Sequence, residues 1–447
     1  MNYKKSSFRF CFANLRHFCF LIALCFCFGQ TVFPQSLDRV QRGKAKDMLN
    51  AVKNAIKDDY YDTNYHGVDL DAKFKEAEAK LDKATTLGQA WGIIAQAVLE
   101  LKDSHTIFYP PNTTAEVRYG WTMKMVGDKC FVTAVRPKDD AEKKGLKPGD
   151  EVLEIEGFKP NKKEFWKMNY YYRILSPRTN LTLKVISPTD KEPRVLTVAS
   201  KVISQKPLVE FADIIREYEI GRGVEVEHRF VQLGPTMVWK MPSFSTDPAL
   251  MDSIMNGRIK QATNLILDLR GNGGGYVETL ERLAGYFVEK DTVIAELKGR
   301  KKMKPQKAKT AGKDVFKGRL IVLIDSDSGS ASEIFARFIQ LEQRGIVMGD
   351  YSAGAVMQSI GYPLTMGSIE VSQTQYGISM TNADVIMSDG KSLEHVGVTP
   401  QLILLPKASD LANERDPVLA AAFQLFEQTV TPEQAGKFFP VKWRNDF

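Results

Sequence analysis

The spacing of apolar and polar positions divides the chain into three regions. Residues 37 to about 112 carry apolar positions at helical spacing, in "LDRVQRGKAKDMLNAVKNAIKDDYYD" and "LDAKFKEAEAKLDKATTLGQAWGIIAQAVLELKD", and the prolines of "FYPPN" close this region. A period near 3.6 residues indicates amphipathic helices. We therefore expect an N-terminal helical domain over residues 36–112.

Short segments with two-residue alternation follow from about residue 115 to 202. "CFVTAV" and "EVLEIEG" alternate apolar and polar positions, while "AEKKG" fits a short helix and "KPGD" a turn. Strands of this length separated by turns predict a compact, barrel-like module over residues 113–202.

The remaining residues, 203–447, alternate apolar runs with helical patterns. "NLILDL" precedes "YVETLERLAGYFVE", and "LIVLID" precedes "SEIFARFIQLEQ". Continuous apolar runs between helices are typical of buried strands in a layered α/β architecture. We expect the third region to be an α/β core domain.

The first 35 residues resemble a secretory signal. Four basic residues precede the apolar stretch "FCFLIALCFCFG", and no acidic residue occurs before Asp38. This stretch is too short to span a bilayer comfortably, so we expect export to a periplasm or the outside of the cell, without tight membrane insertion afterwards. A retained anchor or a lipoprotein signal is the alternative, although neither Cys25 nor Cys27 follows a small residue at the expected place.

Removal of this segment changes the charge and the cysteine count. The net charge falls from +7 to +3, and only Cys130 remains of five cysteines. One cysteine allows no internal disulfide, so stability must come from packed cores. A charge of +3 is not typical of a nucleic-acid-binding protein, and the basic run from Lys298 to Lys317 has one aromatic residue, Phe316, next to its end. We interpret that run as a solvated loop and expect no nucleic-acid partner.

Two segments join an apolar run to a helix through small residues. In "LIVLIDSDSGSASEIFARFIQ", Ser330 and Glu333 fit a capping box, but a serine at a helix N-terminus also lies in a field that favours an oxyanion. In "NLILDLRGNGGGY" the glycines match neither the dinucleotide fingerprint nor the P-loop. They permit close approach of a ligand to backbone N–H groups.

Together these segments resemble the serine peptidases that include the C-terminal processing (tail-specific) and tricorn-type proteases. "LDLRGNGGG", "SASEIFA" and "EHVGVTP" occur in the family's order and spacing. The resemblance implies a layered α/β core of the ClpP/crotonase type, a peptidase without metal or organic cofactor, and Ser330 as nucleophile. It also implies an oxyanion hole from Ala331 and a glycine of the run 273–275, of which we select Gly274.

The general base departs from the better-known members of the family. They use a lysine about two dozen residues after the serine, where this chain has Ala355, and no lysine occurs between Lys317 and Lys391. Another base is therefore needed. "LKDSHTIFYPP" resembles the tricorn-type motif, which implies His105 as base, Ser104 as relay and Glu394 as the carboxylate behind it.

The module of residues 113–202 resembles a PDZ domain. "DAEKKGLKPGDEVLEIEG" matches the family's helix, turn and strand, and "YGWTMK" occupies the place of its carboxylate-binding loop. The resemblance implies that an extended peptide adds as a strand, with its C-terminal carboxylate held near Gly120, Trp121 and Thr122. The alternative is a PDZ fold that packs on the core and binds nothing.

The sequence therefore predicts an exported serine endopeptidase that acts on polypeptides, engaging them through their C-termini. Two alternatives remain open at this point. One is a catalytically silent peptide-binding scaffold, favoured by the missing lysine. The other is a hydrolase of non-peptide esters, against which stands the absence of a G-x-S-x-G elbow around Ser330.

Overall fold

The computed structural model describes residues 37–111, 115–204, 223–366 and 374–444. The predicted signal lies outside the described residues. The helices, in chain order, are α1 Arg39–Asp59, α2 Leu70–Leu81, α3 Leu87–Leu99, α4 Asp140–Lys143, α5 Phe165–Tyr170, α6 Pro248–Asn256, α7 Val277–Gly285, α8 Ala331–Leu341, α9 Ala408–Ala412, α10 Pro417–Leu425 and α11 Pro432–Gly436.

The strands belong to four sheets. In chain order they are β1 Ile107–Tyr109, β2 Ala115–Arg118, β3 Trp121–Val126, β4 Lys129–Val135, β5 Glu151–Ile155, β6 Asn180–Ile186, β7 Arg194–Ala199, β8 Lys201–Ser204, β9 Arg229–Leu233, β10 Thr236–Lys240, β11 Asn264–Asp268, β12 Thr292–Gly299, β13 Gln306–Ala308, β14 Arg319–Ile324, β15 Ile346–Gly349, β16 Met357–Met366, β17 Thr374–Met387 and β18 Leu402–Ile403.

The largest sheet has the order β18-β15-β14-β11-β10-β9. Its strands are parallel except β9, which runs antiparallel to β10. Strand β11 and the last five residues of β14 are buried along their whole length, as expected for central strands covered on both faces. One face packs on α7, α8 and strands β12 and β17, and the other on α10. The predicted layered α/β fold is confirmed.

The second sheet is antiparallel and has the order β1-β17-β12-β13, with β16 also paired to β17. Strand β1 brings the N-terminal region into this sheet through the pairs Ile107 with Ser379 and Tyr109 with Gly377. The apolar sides of α1, α2 and α3 pack in one cluster with β1 and with the buried side chains of β17. The predicted helical segment 36–112 therefore does not close a core of its own, because its helices need the β17 surface to bury their apolar faces.

Residues 121–199 form a five-stranded antiparallel sheet in the order β3-β4-β5-β6-β7, with its own apolar cluster that includes α5. Strand β2 precedes this unit in the sequence and strand β8 follows it, and the two strands pair with each other in a separate antiparallel sheet. No helix among the described residues has the length and apolar character needed to cross a membrane.

Candidate active site

Ser330 lies between the end of β14 and the start of α8. Its backbone has φ 52° and ψ −118°, a region that residues with a Cβ atom rarely adopt. The N–H of Ser330 contacts the Ala355 carbonyl at 2.9 Å and Oε2 of Glu333 at 3.0 Å, which holds this conformation. The strained turn places the serine side chain ahead of the helix.

A chain of hydrogen bonds connects Ser330 to residues that are far away in sequence. Ser330 Oγ lies 3.0 Å from His105 Nε2, and His105 Nδ1 lies 2.7 Å from Ser104 Oγ. Ser104 Oγ donates to Oε2 of Glu394 at 2.8 Å, and the Ser104 N–H donates to Oε1 at 2.7 Å. The structure thus brings together the four residues named from the motifs; their chemical roles stay predictions.

The hydrogen-bond network assigns the tautomer of His105. Ser104 has one hydroxyl proton, and it is given to Glu394, so Ser104 Oγ accepts from Nδ1–H of the imidazole. Nε2 then carries a lone pair directed at Ser330 Oγ. Burial lowers the pKa of His105, while the Glu394 and Asp103 carboxylates act to raise it. The imidazole is therefore neutral near pH 7 and able to accept a proton.

Glu394 is fixed from the core side as well. Its Oε2 also accepts from the N–H of Val356 at 2.8 Å. Residue 355, the position of the lysine in better-known relatives, is part of the same segment: the Ala355 carbonyl accepts from Ser330 and its N–H donates to Glu333. The segment that lacks the lysine thus contacts both ends of the hydrogen-bond chain through its backbone.

The two residues predicted for the oxyanion hole both lie beside Ser330, but their backbone N–H groups differ in whether they already donate a hydrogen bond. The Ala331 N–H opens α8, and none of the hydrogen bonds found in the described ranges uses it. Gly274 approaches so closely that a Cβ there would lie 2.6 Å from Cβ of Ser330. However, its N–H donates to Asn272 Oδ1 at 2.9 Å, so this group must leave Asn272 before it can contact a substrate.

Comparison with known proteins shows which family this chain is similar to. The model of peptidase family S41 matches residues 237–404. The tail-specific protease of Haemophilus influenzae is 24% identical over 65% of this chain and 44% of its own length. The carboxy-terminal processing protease CtpB of Bacillus subtilis is 22% identical over 84% of this chain and 74% of its own. The chain resembles peptidase family S41 over residues 237–404.

The solved structure of mature CPAF resembles this chain in fold, with a TM-score of 0.61 at 15% identity and coverage of 83% of this chain and 94% of that one. The predicted family and the predicted class of enzyme, a serine-type peptidase, are confirmed by the family match and the named relatives. The matched part of this chain spans less than half the length of the Haemophilus relative.

The residues predicted to bind a peptide C-terminus lie at the start of β3. Gly120 has φ 70° and packs so closely on Asp139 that a Cβ would lie 2.5 Å from its carboxylate. Strand β3 is an edge strand of its sheet. A small cavity of about 20 Å³ lies between β3 and α5, lined by Trp121, Met123 and Met168 among others. Trp121 Nε1 is buried there without a hydrogen-bond partner among the described residues.

Three charged groups at this site are not among the residues predicted from the sequence. Asp103 precedes the Ser104–His105 pair, and its carboxylate closes the turn that carries them. Glu333, which the sequence predicts as half of a capping box, is fully buried and also accepts from Ser352 and Gly354. Asp325 pairs with Lys124 at 2.9 Å. Asp103 accepts from the backbone N–H groups two and three residues after it. An aspartate in this position is a recognised turn signal, so the sequence could have indicated Asp103.

Across the described ranges, no group of three or more His, Cys, Asp or Glu side chains is arranged to hold a metal ion.

Proposed function

We propose that the protein is a serine endopeptidase that cleaves polypeptides through an acyl-enzyme on Ser330. The observation that carries this proposal is the unbroken hydrogen-bond chain Ser330, His105, Ser104, Glu394, whose members lie up to 290 residues apart. Packing and stability alone do not require a neutral imidazole beside a serine in a strained turn, with a carboxylate aligned behind it. Acyl transfer to a serine nucleophile uses such an arrangement of base and carboxylate.

In the proposed mechanism Ser330 Oγ attacks the scissile carbonyl carbon while its proton passes to Nε2 of His105. The resulting imidazolium is stabilised through Ser104 by the Glu394 carboxylate. When the tetrahedral intermediate collapses, the C–N bond breaks and Nε2 returns the proton to the leaving amine. A water molecule then attacks the acyl-enzyme, with His105 again taking and returning one proton, and releases the acid product.

The developing oxyanion needs donors beside Ser330. The Ala331 N–H is available at the N-terminus of α8, where the helix dipole adds a favourable field. We propose Gly274 as the second donor, which requires its N–H to exchange Asn272 Oδ1 for the substrate oxygen. A 2.9 Å hydrogen bond to a neutral amide can be exchanged for one to an anion, because charge-assisted hydrogen bonds are the stronger.

We further propose that the segment of residues 113–202 is a PDZ domain that receives substrate C-termini along β3. Strand β3 lies at the edge of its sheet, where an extended peptide can add as a strand, and the small apolar cavity between β3 and α5 lies next to it. Export is proposed from the basic and apolar N-terminal segment. The names of the two relatives, tail-specific and carboxy-terminal processing protease, agree with C-terminal engagement.

A fluorophosphonate probe tests the proposed chemistry directly. We expect covalent labelling of the wild-type protein, none of Ser330→Ala, and slow labelling of His105→Ala, measured by intact-protein mass. Ser326→Ala is the matched control, because Ser326 lies in the same turn but bonds to the Met125 carbonyl, so it should label at the wild-type rate. Absence of any labelling would favour the peptide-binding scaffold.

Peptides with free and amidated C-termini test the PDZ proposal. We expect cleavage of the free acid to have a lower KM, because the amide removes the charge that backbone N–H groups would bind. Equal KM values for the two peptides would reject C-terminal engagement while leaving the proposed peptidase chemistry intact.

A further inference from the structure

A third carboxylate, Asp103, lies beside the Ser104–His105 pair without contacting Ser330. Its side chain is only 4% exposed, and it accepts five hydrogen bonds. Buried carboxylates with so many donors are held in one orientation, since loss of any donor leaves an uncompensated acceptor. The question is what this fixed group does for the site.

Three of the five donors come from the turn that carries the proposed base. Oδ1 accepts from the N–H of His105 at 2.9 Å and of Thr106 at 2.6 Å. Oδ2 accepts from the Thr106 hydroxyl at 2.8 Å. These bonds fix the backbone at His105, and with it the direction in which the imidazole leaves the chain.

The other two donors belong to different elements. The Tyr60 hydroxyl, just after α1, donates to Oδ2 at 2.7 Å, and the Thr381 hydroxyl on β17 donates to Oδ1 at 2.7 Å. Burial and Asp103 both raise the pKa of Tyr60, so the phenol stays a proton donor at neutral pH. Asp103 therefore joins the turn to α1 and to the second sheet.

We propose that Asp103 is a positioning residue of the peptidase site, whose carboxylate sets the orientation of His105 toward Ser330 by bonding its turn to Tyr60 and Thr381. The inference rests on the proposed function. Asp103 acts through His105 and does not contact the serine. Its negative charge has a second effect, since it favours the imidazolium that forms during proton transfer, as Glu394 does from the other side.

Two substitutions separate position from charge. Asp103→Ala removes every acceptor, so we expect kcat to fall about 100-fold from misplacement of the base, with KM changed by less than about threefold. Asp103→Asn keeps one acceptor oxygen for the two N–H groups, and the hydroxyls can turn to accept from its amide. We expect Asn to retain most of the geometry and to move the acid limb of kcat/KM to lower pH, because the charge that raises the pKa of His105 is gone.

Asp252→Asn is the matched control. Asp252 also accepts from a tyrosine hydroxyl, at 2.7 Å from Tyr286, and from Arg282, but it lies on α6 and does not act on His105. If Asp252→Asn causes only a general loss of stability, it should lower the melting temperature without moving the acid limb of kcat/KM. If Asp103→Asn behaves like Asp252→Asn in both readouts, Asp103 is merely structural and the proposal is wrong.

The titration of His105, followed by NMR in the Ser330→Ala background, gives a readout that needs no activity. We expect a lower His105 pKa in Asp103→Asn, and an unchanged pKa would overturn the effect of charge. If Asp103→Ala does not fold, Tyr60→Phe and Thr381→Val each remove one donor, and we expect the double variant to lower kcat more than either alone. A wild-type kcat in both single variants and in the double variant would overturn the positioning role. An unlabelled wild-type protein would instead reject the proposed function, so the two failures are distinct.

Discussion

At the scale of single residues, the proposed reactivity of Ser330 depends on a histidine with a lowered pKa. Burial is the largest influence on His105, and it outweighs the two carboxylates that favour the charged form. A base works only when deprotonated, so activity is lost as the pH falls through the pKa of the folded state. We expect the acid limb of kcat/KM to lie below pH 6.5, the ordinary value for histidine, in assays with a peptide substrate.

A limb near pH 7 would point to a different group. Burial raises the pKa of Glu333 to about 7, against the opposing effect of its four hydrogen-bond donors. If the limb lies there and disappears in Glu333→Gln, the titration belongs to Glu333 and the assignment of the limb to His105 is wrong.

Glu333 itself holds the turn that carries Ser330. Its carboxylate accepts from the N–H groups of Ser330, Gly354 and Ala355 and from the Ser352 hydroxyl. In Glu333→Gln an amide N–H₂ faces two of these donors, which leaves at least one buried donor unpaired. We expect a loss of about 1–3 kcal/mol in the free energy of unfolding and slower fluorophosphonate labelling. Glu342→Gln, exposed at the end of the same helix, is the control and should change neither.

At the scale of elements, the loop between β11 and α7 offers a test by neighbouring glycines. A Cβ at Gly274, where φ is 108°, would lie 2.6 Å from Ser330 Cβ, whereas a Cβ at Gly273 would meet no atom within 4 Å. We expect Gly274→Ala to abolish labelling of Ser330 and to destabilise the fold by more than about 1 kcal/mol, since both the conformation and the space are lost. Gly273→Ala should label normally; equal effects would refute the proposed packing.

The sequence pattern allowed prediction of these elements and of the motif residues for physical reasons. Continuous apolar runs indicate buried strands, and small residues after them indicate turns where backbone groups become accessible. The pattern could not reveal that α1 to α3 bury their apolar faces against β17, because amphipathic helices look alike whichever surface covers them. Nor could it reveal that Gly274 donates to Asn272, since that contact depends on the side-chain orientation within the loop.

At the scale of the whole molecule, one ion pair joins the antiparallel unit to the core beside the active site. Lys124 on β3 contacts Oδ2 of Asp325 at 2.9 Å, and the two side chains are 23% and 8% exposed. Oδ1 of Asp325 accepts from the Gly271 N–H at 2.9 Å. Asp325, which lies in the turn before Ser330, thus joins that turn to Lys124 of the proposed PDZ unit and to Gly271.

We expect Lys124→Met to lower the free energy of unfolding by about 3–5 kcal/mol, because it leaves a buried carboxylate without its cation. Lys129→Met is the control: that lysine is 63% exposed and pairs with Glu151, so its loss should cost about 1 kcal/mol or less. Urea unfolding at pH 7 measures both. Equal losses in the two variants would show that the Lys124 pair contributes no more than a surface ion pair.

The pH dependence of the same variants gives the sign of the effect. Burial opposes ionisation of Asp325, but Lys124 and the hydrogen bonds outweigh it and lower its pKa to about 2. The carboxylate therefore binds fewer protons when folded, so its contribution is complete above about pH 4 and is lost as the pH falls toward 2. Lys124→Met removes the main cause of the lowered pKa. We expect the stability difference between wild type and Lys124→Met to shrink as the pH falls from 4 to 2, and a constant difference across this range would assign the loss to packing of the lysine side chain instead.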